Sequence, residues 1–477
     1  MGPDPSLESR LAGHGHGDAL RWWTELDEPS RTRLDAQLRA IDLDRLDRLV
    51  RELVLAPADT STTFPPEQVG PVDVYRDPQT DGERSARRQV AEAGHEALAR
   101  GEVAVILVAG GSGTRLGFEG PKGTYPIGAI SGASLFQVHA EKIVALGHRF
   151  GRPIPLYIMT SPENVEATAR FFADHGNFGL SHVRLFVQGQ MPAVDRETGA
   201  ILLAEKGAVA LSPDGHGGTI AALAAPANGG GPSCLDEMDS KGIKTLFYFQ
   251  VDNPLVKIAD PAFLGLHLQA RAEMSFKVIE KIAPDEKVGV VVSAAGTPQV
   301  IEYSDLPAEL AERRQPDGRL ELWAGSIAIH LFQVNFLRRL ASGEIVLPFH
   351  RAIKKVSSIG PDGERVSPIS PNAVKFEQFI FDALPLAERY TLVETDRSVE
   401  FEPLKNATGP DSPETVRQRM SELFATWLEA AGAKVARRND GSVAHPIEIS
   451  PLYALDAREL KDKVPANLVV DGPLHLG

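Results

Sequence analysis

Residues Val103 to Gly128 read VAVILVAGGSGTRLGFEGPKGTYPIG. The stretch opens on an apolar run, Val103-Ala104-Val105-Ile106-Leu107-Val108, bounded by Gly101 and a glycine cluster, the pattern of a strand buried on both faces in a parallel sheet. The glycines at 110, 111 and 113 then predict backbone angles that only glycine adopts cheaply, in a loop that turns successive N–H groups inward as an anion site. Arg115 contributes a forked donor and Lys122 a compact point charge. A buried strand, a glycine loop and two cations meet the needs of a nucleoside triphosphate. Neither common phosphate motif fits, because Leu116 replaces the third glycine of a dinucleotide fingerprint and Lys122 lies between Pro121 and Gly123 rather than before Ser or Thr. From the loop alone, a glycine-rich turn with both cations merely solvated stays open.

The totals bound the rest. At 477 residues the chain exceeds the usual single core, so two or three domains are expected. With 43% hydrophobic and 24% charged residues it has an ordinary globular composition. Fifty Lys and Arg against 64 Asp and Glu leave a net charge of −14, which argues against general binding to nucleic acid or membrane. Phosphates must then be held by locally placed cations. A lone cysteine, Cys234, rules out an internal disulfide and a cysteine-built zinc site. With no long apolar run and no leader pattern, a cytoplasmic enzyme is expected.

Ahead of the loop, Leu34, Leu38 and Ile41, then Leu46, Leu49, Val50 and Leu53, recur at helical spacing. His14 and His16 read as a mobile turn rather than a metal site. Residues 56–84 read as a connecting arm and Gln89 to Arg100 as a helix. Beyond the loop, β and α patterns alternate. Ser134 caps a helix that Gly147 is placed to end, and Pro155 to Thr160 is a strand. Ser161-Pro162 starts a helix, Val183 to Val187 is a strand, and Ile201 to Ala204 is a small β excursion. Lys244 to Val251 is a long apolar strand ending at Asp252-Asn253, a place for a metal-directed carboxylate or for an Asx turn. Several adjacent strands follow, holding Lys281, Gly289, Glu302 and Tyr303. Ala324 to His330 is a further strand with a helix after it, Asp411 to Glu414 opens a helix running to about Ala431, and the tail from Val435 reads as a separate small β cap. This order predicts an α/β fold around a doubly wound sheet, with ligands beyond the carboxyl ends of its strands.

Gly110 to Gly117 followed by Pro121-Lys122-Gly123 resembles the signature of the eukaryotic-type UDP-sugar pyrophosphorylases, with the UDP-N-acetylglucosamine branch nearest in pattern. The likeness extends over nearly the whole chain. It implies a nucleotidyltransferase, GT-A-like domain with a mixed, mainly parallel sheet over 101–410, an N-terminal helical region over 1–100, and a C-terminal helix with a small β domain over 411–477. It also implies transfer of uridylate from UTP to a sugar 1-phosphate, with Mg²⁺ and release of pyrophosphate. By resemblance, Gly110, Gly111, Arg115 and Lys122 lie on the nucleotide, Gln188 reads uracil, and Gly215 is a further nucleotide contact. Asp252 falls at the catalytic centre and is the metal candidate. Gly289, Glu302 and Tyr303 match positions around the sugar, and Lys375 and Lys405 match lysines that contact phosphates.

Two positions depart from the pattern. The family commonly has Asn where this chain has His216 and Ser326, and both face the sugar there. His216 can donate once and accept once, according to its tautomer, and Ser326 is shorter. The expected sugar is N-acetylglucosamine 1-phosphate, with glucose 1-phosphate or a broad set as the alternative. A non-catalytic nucleotide-sugar binder and a dinucleotide oxidoreductase are weaker readings, opposed by the four retained cations and by Leu116 respectively.

Overall fold

The computed structural model describes residues 2–56, 65–227, 230–343, 346–465 and 467–477, so residues 57–64 of the expected connecting arm lie outside the described residues. Two compact units emerge, a larger one of Phe64–Val187, Leu223–Ile345 and Ala383–Gly477 and a smaller one of Met1–Thr63, Gln188–Ala222 and Val346–Asp382. The division expected above, 1–100, 101–410 and 411–477, follows chain order. Compactness groups stretches distant in sequence, so both units are discontinuous.

The larger unit is built on a 10-stranded sheet. In chain order its strands are β1 (Val69–Gly70), β2 (Val103–Val108), β3 (Leu156–Thr160), β4 (Val183–Val187), β5 (Thr245–Gln250), β6 (Met274–Glu280), β7 (Val290–Ala294), β8 (Thr297–Ile301), β9 (Ala324–Gln333) and β10 (Tyr390–Glu394). They lie in the order β1-β7-β9-β5-β2-β3-β4, with β6 paired to β9 and β10, and β8 to β7. The run β5-β2-β3-β4 is parallel. β9 is antiparallel to both β5 and β6, which makes the sheet mixed. The apolar reading of β2 is borne out, for Val103 to Leu107 are all buried, as a parallel strand covered on both faces requires. Part of the expected arm is structured: Val69 and Gly70 pair with Ala294 and Ser293 as an edge strand.

Helices of this unit show how local chemistry sets boundaries. α1 (Asp81–Arg100) begins well before Gln89, because Thr80 and Glu83 form a reciprocal capping box. Ser134 caps α2 (Leu135–Phe150) as expected, but the helix runs through Gly147 and stops at Gly151, whose φ of 67° is left-handed. Ser161 does not cap α3 (Val165–Asp174). Asn164 accepts from the Ser161 amide at 2.9 Å and donates to the Ala109 carbonyl at 3.0 Å, folding 161–164 into a turn over the end of β2. After α4 (Pro261–Gln269) and α5 (Val334–Ala341), the long α6 (Pro413–Ala430) starts at its Ser412 cap. The tail adds two short parallel pairs, Lys434–Val435 with Val469–Val470 and Ile447–Ile449 with Leu474–Leu476. Ile447, Ile449 and Val470 belong to the same buried cluster as β2 and β3.

In the smaller unit, helices Glu28–Ala40 and Leu43–Leu49 bury Leu34, Leu38, Leu43 and Leu46 in a cluster with Val194, Leu203, Val209, Val374 and Phe376. Strands His350–Lys354, Ala373–Glu377 and Val194–Asp195 form its three-stranded sheet. The β excursion expected over Ile201 to Ala204 is the strand Leu203–Glu205, paired with Ala208–Val209. The HGHG turn is pinned, not mobile: His14 Nδ1 lies 2.6 Å from Asp47 Oδ2, and His16 is buried with Nε2 3.5 Å from Asp47 Oδ1. Among the described residues no helix is long and apolar enough to cross a membrane.

Candidate functional site

β2 delivers the chain into the glycine loop at its carboxyl end. The left-handed angles fall at Gly117 (φ 65°) and Gly120 (φ 119°), not at 110, 111 or 113. Gly113 has an ordinary φ of −79°, and close approach explains its lack of a side chain, since a Cβ there would lie 2.7 Å from Phe118 Cδ1. The loop closes on itself: the amides of Gly113, Phe118 and Lys122 donate to the carbonyls of Gly120, Gly113 and Gly111. These three amides are therefore taken up within the loop itself. Arg115 is exposed on the short helical turn Thr114–Leu116.

Lys122 is mostly buried, and its Nζ lies 3.3 Å from Asp252 Oδ2. β2 and β5 are parallel neighbours, so their following loops emerge at the same end of the sheet. The turn after β5 is braced by α2 from one side. The His139 ring, neutral because burial drives its pKa down to about 3, donates from Nε2 to the Val251 carbonyl at 3.0 Å. One turn on, Lys142 Nζ reaches the carbonyls of Pro254 and Val256 at 2.5 and 2.9 Å, and burial lowers its pKa to about 7. Asn253 forms the Asx turn, accepting from the Leu255 amide at 3.2 Å. Asp252 thus keeps its carboxylate for Lys122, while its carbonyl accepts from the Leu404 amide at 2.8 Å. The next residue is Lys405, whose amide donates to the Asp411 carbonyl at 2.7 Å.

A second group forms where β9 meets the segment before β7. The Ser326 amide donates to the Gly289 carbonyl at 2.8 Å. A Cβ on Gly289 would lie 3.2 Å from Glu302 Oε1, so Gly289, Glu302 and Ser326 come together. Tyr303 beside them is 47% exposed, available to a ligand.

Gln188, Gly215, His216 and Lys375 belong to the smaller unit. Gln188 is buried. Gly215 is required twice over, by a φ of 84° and by the Gln378 carbonyl oxygen, 2.4 Å from where a Cβ would stand. His216 accepts from the Ile380 amide at Nδ1 (3.1 Å). Burial, with His350 adding to it, lowers its pKa to about 4, so the ring is neutral with its proton on Nε2. The tautomer left open by the sequence is fixed: His216 presents a donor. Lys375 lies on strand Ala373–Glu377 between Val374 and Phe376, which face the core. Sequence reasoning missed Asp214, buried against Gly189 and Gly218 and raised by that burial to about 6. The Asp-Gly pair that marks the turn was its signal. Among the described residues no group of three or more His, Cys, Asp or Glu could hold a metal ion.

Comparison with known proteins adds an independent line. The family model described as UTP–glucose-1-phosphate uridylyltransferase matches residues 73–410. The chain is 37% identical over 455 residues to human UDP-N-acetylhexosamine pyrophosphorylase-like protein 1, covering 91% of this chain and 87% of that protein. It is 41% identical over 354 residues to the Saccharomyces cerevisiae UDP-N-acetylglucosamine pyrophosphorylase, covering 72% and 73%. The crystal structure of the Trypanosoma brucei uridine diphosphate N-acetylglucosamine pyrophosphorylase aligns with a TM-score of 0.83 at 27% identity, over 98% of this chain and 99% of that one. A match of this extent, on a fold whose loop holds Lys122 against Asp252, means that the chain belongs to the UDPGP family of UTP–sugar-1-phosphate uridylyltransferases.

Proposed function

We propose that the protein transfers uridylate from UTP to N-acetylglucosamine 1-phosphate, forming UDP-N-acetylglucosamine and pyrophosphate. The Lys122–Asp252 pair, on the loops that follow two adjacent parallel strands, carries this reading. An oxygen of the sugar phosphate attacks the α-phosphorus of UTP in line, and the bond from that phosphorus to the bridging oxygen breaks as pyrophosphate leaves. No strong base is needed, because a phosphate monoester is mostly ionised at pH 7, with a second pKa of about 6. Catalysis then rests on holding two mutually repelling anions and on neutralising the leaving group.

In this reading Arg115 and Lys122 bind the β- and γ-phosphates over Gly110 and Gly111, Gln188 and Gly215 hold the base side, and Lys375 and Lys405 bind phosphate. Glu302, Tyr303, Gly289, Ser326 and the Nε2–H of His216 face the sugar. The donor set suits Mg²⁺, which takes one or two carboxylates together with substrate phosphates rather than an all-protein cage. Asp252 is such a hard oxygen donor, and its carboxylate is 15% exposed. The ion, when bound, supplies positive charge across the phosphates. Cys234 stays outside the chemistry, since it is buried and burial pushes its thiol up to about 11. The cytoplasm is the compartment we assign.

A second reading keeps the reaction and changes the sugar, favoured by His216 and Ser326 standing where asparagine is common. Pyrophosphate release with UTP and a panel of sugar 1-phosphates decides between them. We expect the highest kcat/KM with N-acetylglucosamine 1-phosphate. A preference for glucose 1-phosphate would establish the second reading. UTP binding without turnover on any member of the panel would sink both.

A further inference from the structure

Behind the Asp252-Asn253 turn lies a set of charges, two of them fully buried. Lys277 in mid-β6 is 1% exposed and Glu400 is 0% exposed. Lys277 Nζ donates to Glu400 Oε1 at 2.6 Å, to Glu400 Oε2 at 2.7 Å and to Asp260 Oδ2 at 2.8 Å. Glu400 also accepts from the Lys257 amide at 3.1 Å and from Thr395 Oγ1 at 2.6 Å. Burial works against the Lys277 ammonium, but attraction to Asp260 and Glu400 outweighs it and holds its pKa above the ordinary lysine value. A buried ion pair is a poor stabiliser compared with apolar residues of the same volume. What this one does is hold things in place. Asn253 Nδ2 donates to the Glu400 carbonyl at 2.8 Å, and Asn253 Oδ1 accepts from the Glu402 amide at 3.3 Å. The Leu404 amide then reaches the Asp252 carbonyl. Residues 252–257 and 400–405 are thereby laced together along their length, with Asp252 and Lys405 at one end and Lys257 and Glu400 at the other.

We infer that Lys277, Glu400 and Asn253 are positioning residues that fix the catalytic carboxylate of Asp252 and the phosphate-binding Lys405 in one geometry, an inference that rests on the roles proposed above for those two groups. All three are buried. Their effect passes through the backbone of the two segments that carry Asp252 and Lys405.

The test compares Glu400→Gln, Asn253→Ala, the double variant and Asp252→Asn by kcat, the KM for each substrate, the Mg²⁺ concentration giving half-maximal rate, UTP affinity and melting temperature. Glu400→Gln keeps the shape and removes the charge, and Asn253→Ala removes the strap. Each is expected to lower kcat roughly 10- to 100-fold and to raise the Mg²⁺ requirement, as loss of a group that orients a metal-directed side chain does. UTP affinity should stay within about threefold, and the double variant should be no worse than the poorer single one, as for residues acting as a unit. A Glu400→Gln enzyme that melts earlier yet turns over at the wild-type rate while folded overturns the inference. Should that variant fail to fold, Asn253→Ala is held to the same criteria. Asp252→Asn separates the layers: if it is inactive while the other variants are normal, only the positioning inference fails. If Asp252→Asn is itself fully active, the assignment of Asp252 fails first and takes the inference with it.

Discussion

Lys122 holds its ammonium 3.3 Å from Asp252 in a mostly buried setting, where a missing charge is not replaced by water at low cost. Lys122→Ala is expected to lower kcat about 100-fold or more, equivalent to about 3 kcal/mol of transition-state stabilisation, in a steady-state pyrophosphate assay. A normal kcat would remove Lys122 from the chemistry. On the sugar side, Ser326→Asn adds an amide that can both donate and accept. It should lower the KM for N-acetylglucosamine 1-phosphate about fivefold, the worth of one hydrogen bond, and leave the KM for UTP unchanged. Lys122 was legible in the sequence, because a glycine loop announces itself over a few positions, whereas Ser326 stood out only through the family resemblance. The His216 tautomer was not legible, since it depends on the Ile380 amide, far along the chain. Asp214 escaped for a similar reason. Its raised pKa comes from burial, which no local pattern displays.

Strands and helix starts were readable where one local signal dominated, as in the apolar run of β2 and the Ser134 cap of α2. Ends and turns failed where tertiary bonds decided, as at Asn164, which is drawn to the Ala109 carbonyl. Gly215 belongs to this scale, since its φ of 84° and its contact with Gln378 build the turn before His216. Gly215→Ala should cost about 2 kcal/mol or more in urea unfolding, through backbone strain alone. The helices also carry a pH dependence. His139 on α2 and His267 on α4 are fully buried, and burial lowers both to about 3. Their unfolded rings have a pKa near 6.5, so stability is intact above that value and falls as pH drops from about 6.5 toward 3. At pH 5 the loss is roughly 2 kcal/mol for each ring. Asp214 has the opposite sign, its burial penalty fading as pH falls through about 6, and offsets part of this. The melting temperature should therefore decline between pH 7 and pH 5. A flat profile would contradict neutral burial of the two rings.

At the scale of the molecule, the tail from α6 onward is part of the larger unit's core. Arg417 donates to the carbonyls of Pro126 and Ile127, and Glu448 accepts from the amides of Ile130 and Ser131 and from the Ser131 hydroxyl. The segment that follows Lys122 is thus gripped from the far end of the chain. Glu448→Ala removes a buried carboxylate that holds the exposed Ile130–Ser131 segment by charge-assisted bonds and should cost about 1.5–3 kcal/mol in urea unfolding. Removal of residues 435–477 should abolish the soluble fold, seen as loss of a cooperative melting transition. Survival of such a truncated chain with a sharp transition would show the tail to be a dispensable cap. The α/β class was readable because periodicity is local. The interleaving of the units was not, because it depends on pairings such as Val374 with Val194. That interleaving has a consequence for birth at the ribosome. The first helices to emerge carry Leu34, Leu38 and Leu46, whose apolar faces are covered by Val374 and Phe376. Those partners are translated only after most of the polypeptide has left the exit tunnel. At about 5–20 residues per second the nascent N-terminus waits many seconds with greasy surface uncovered, a window for chaperone capture.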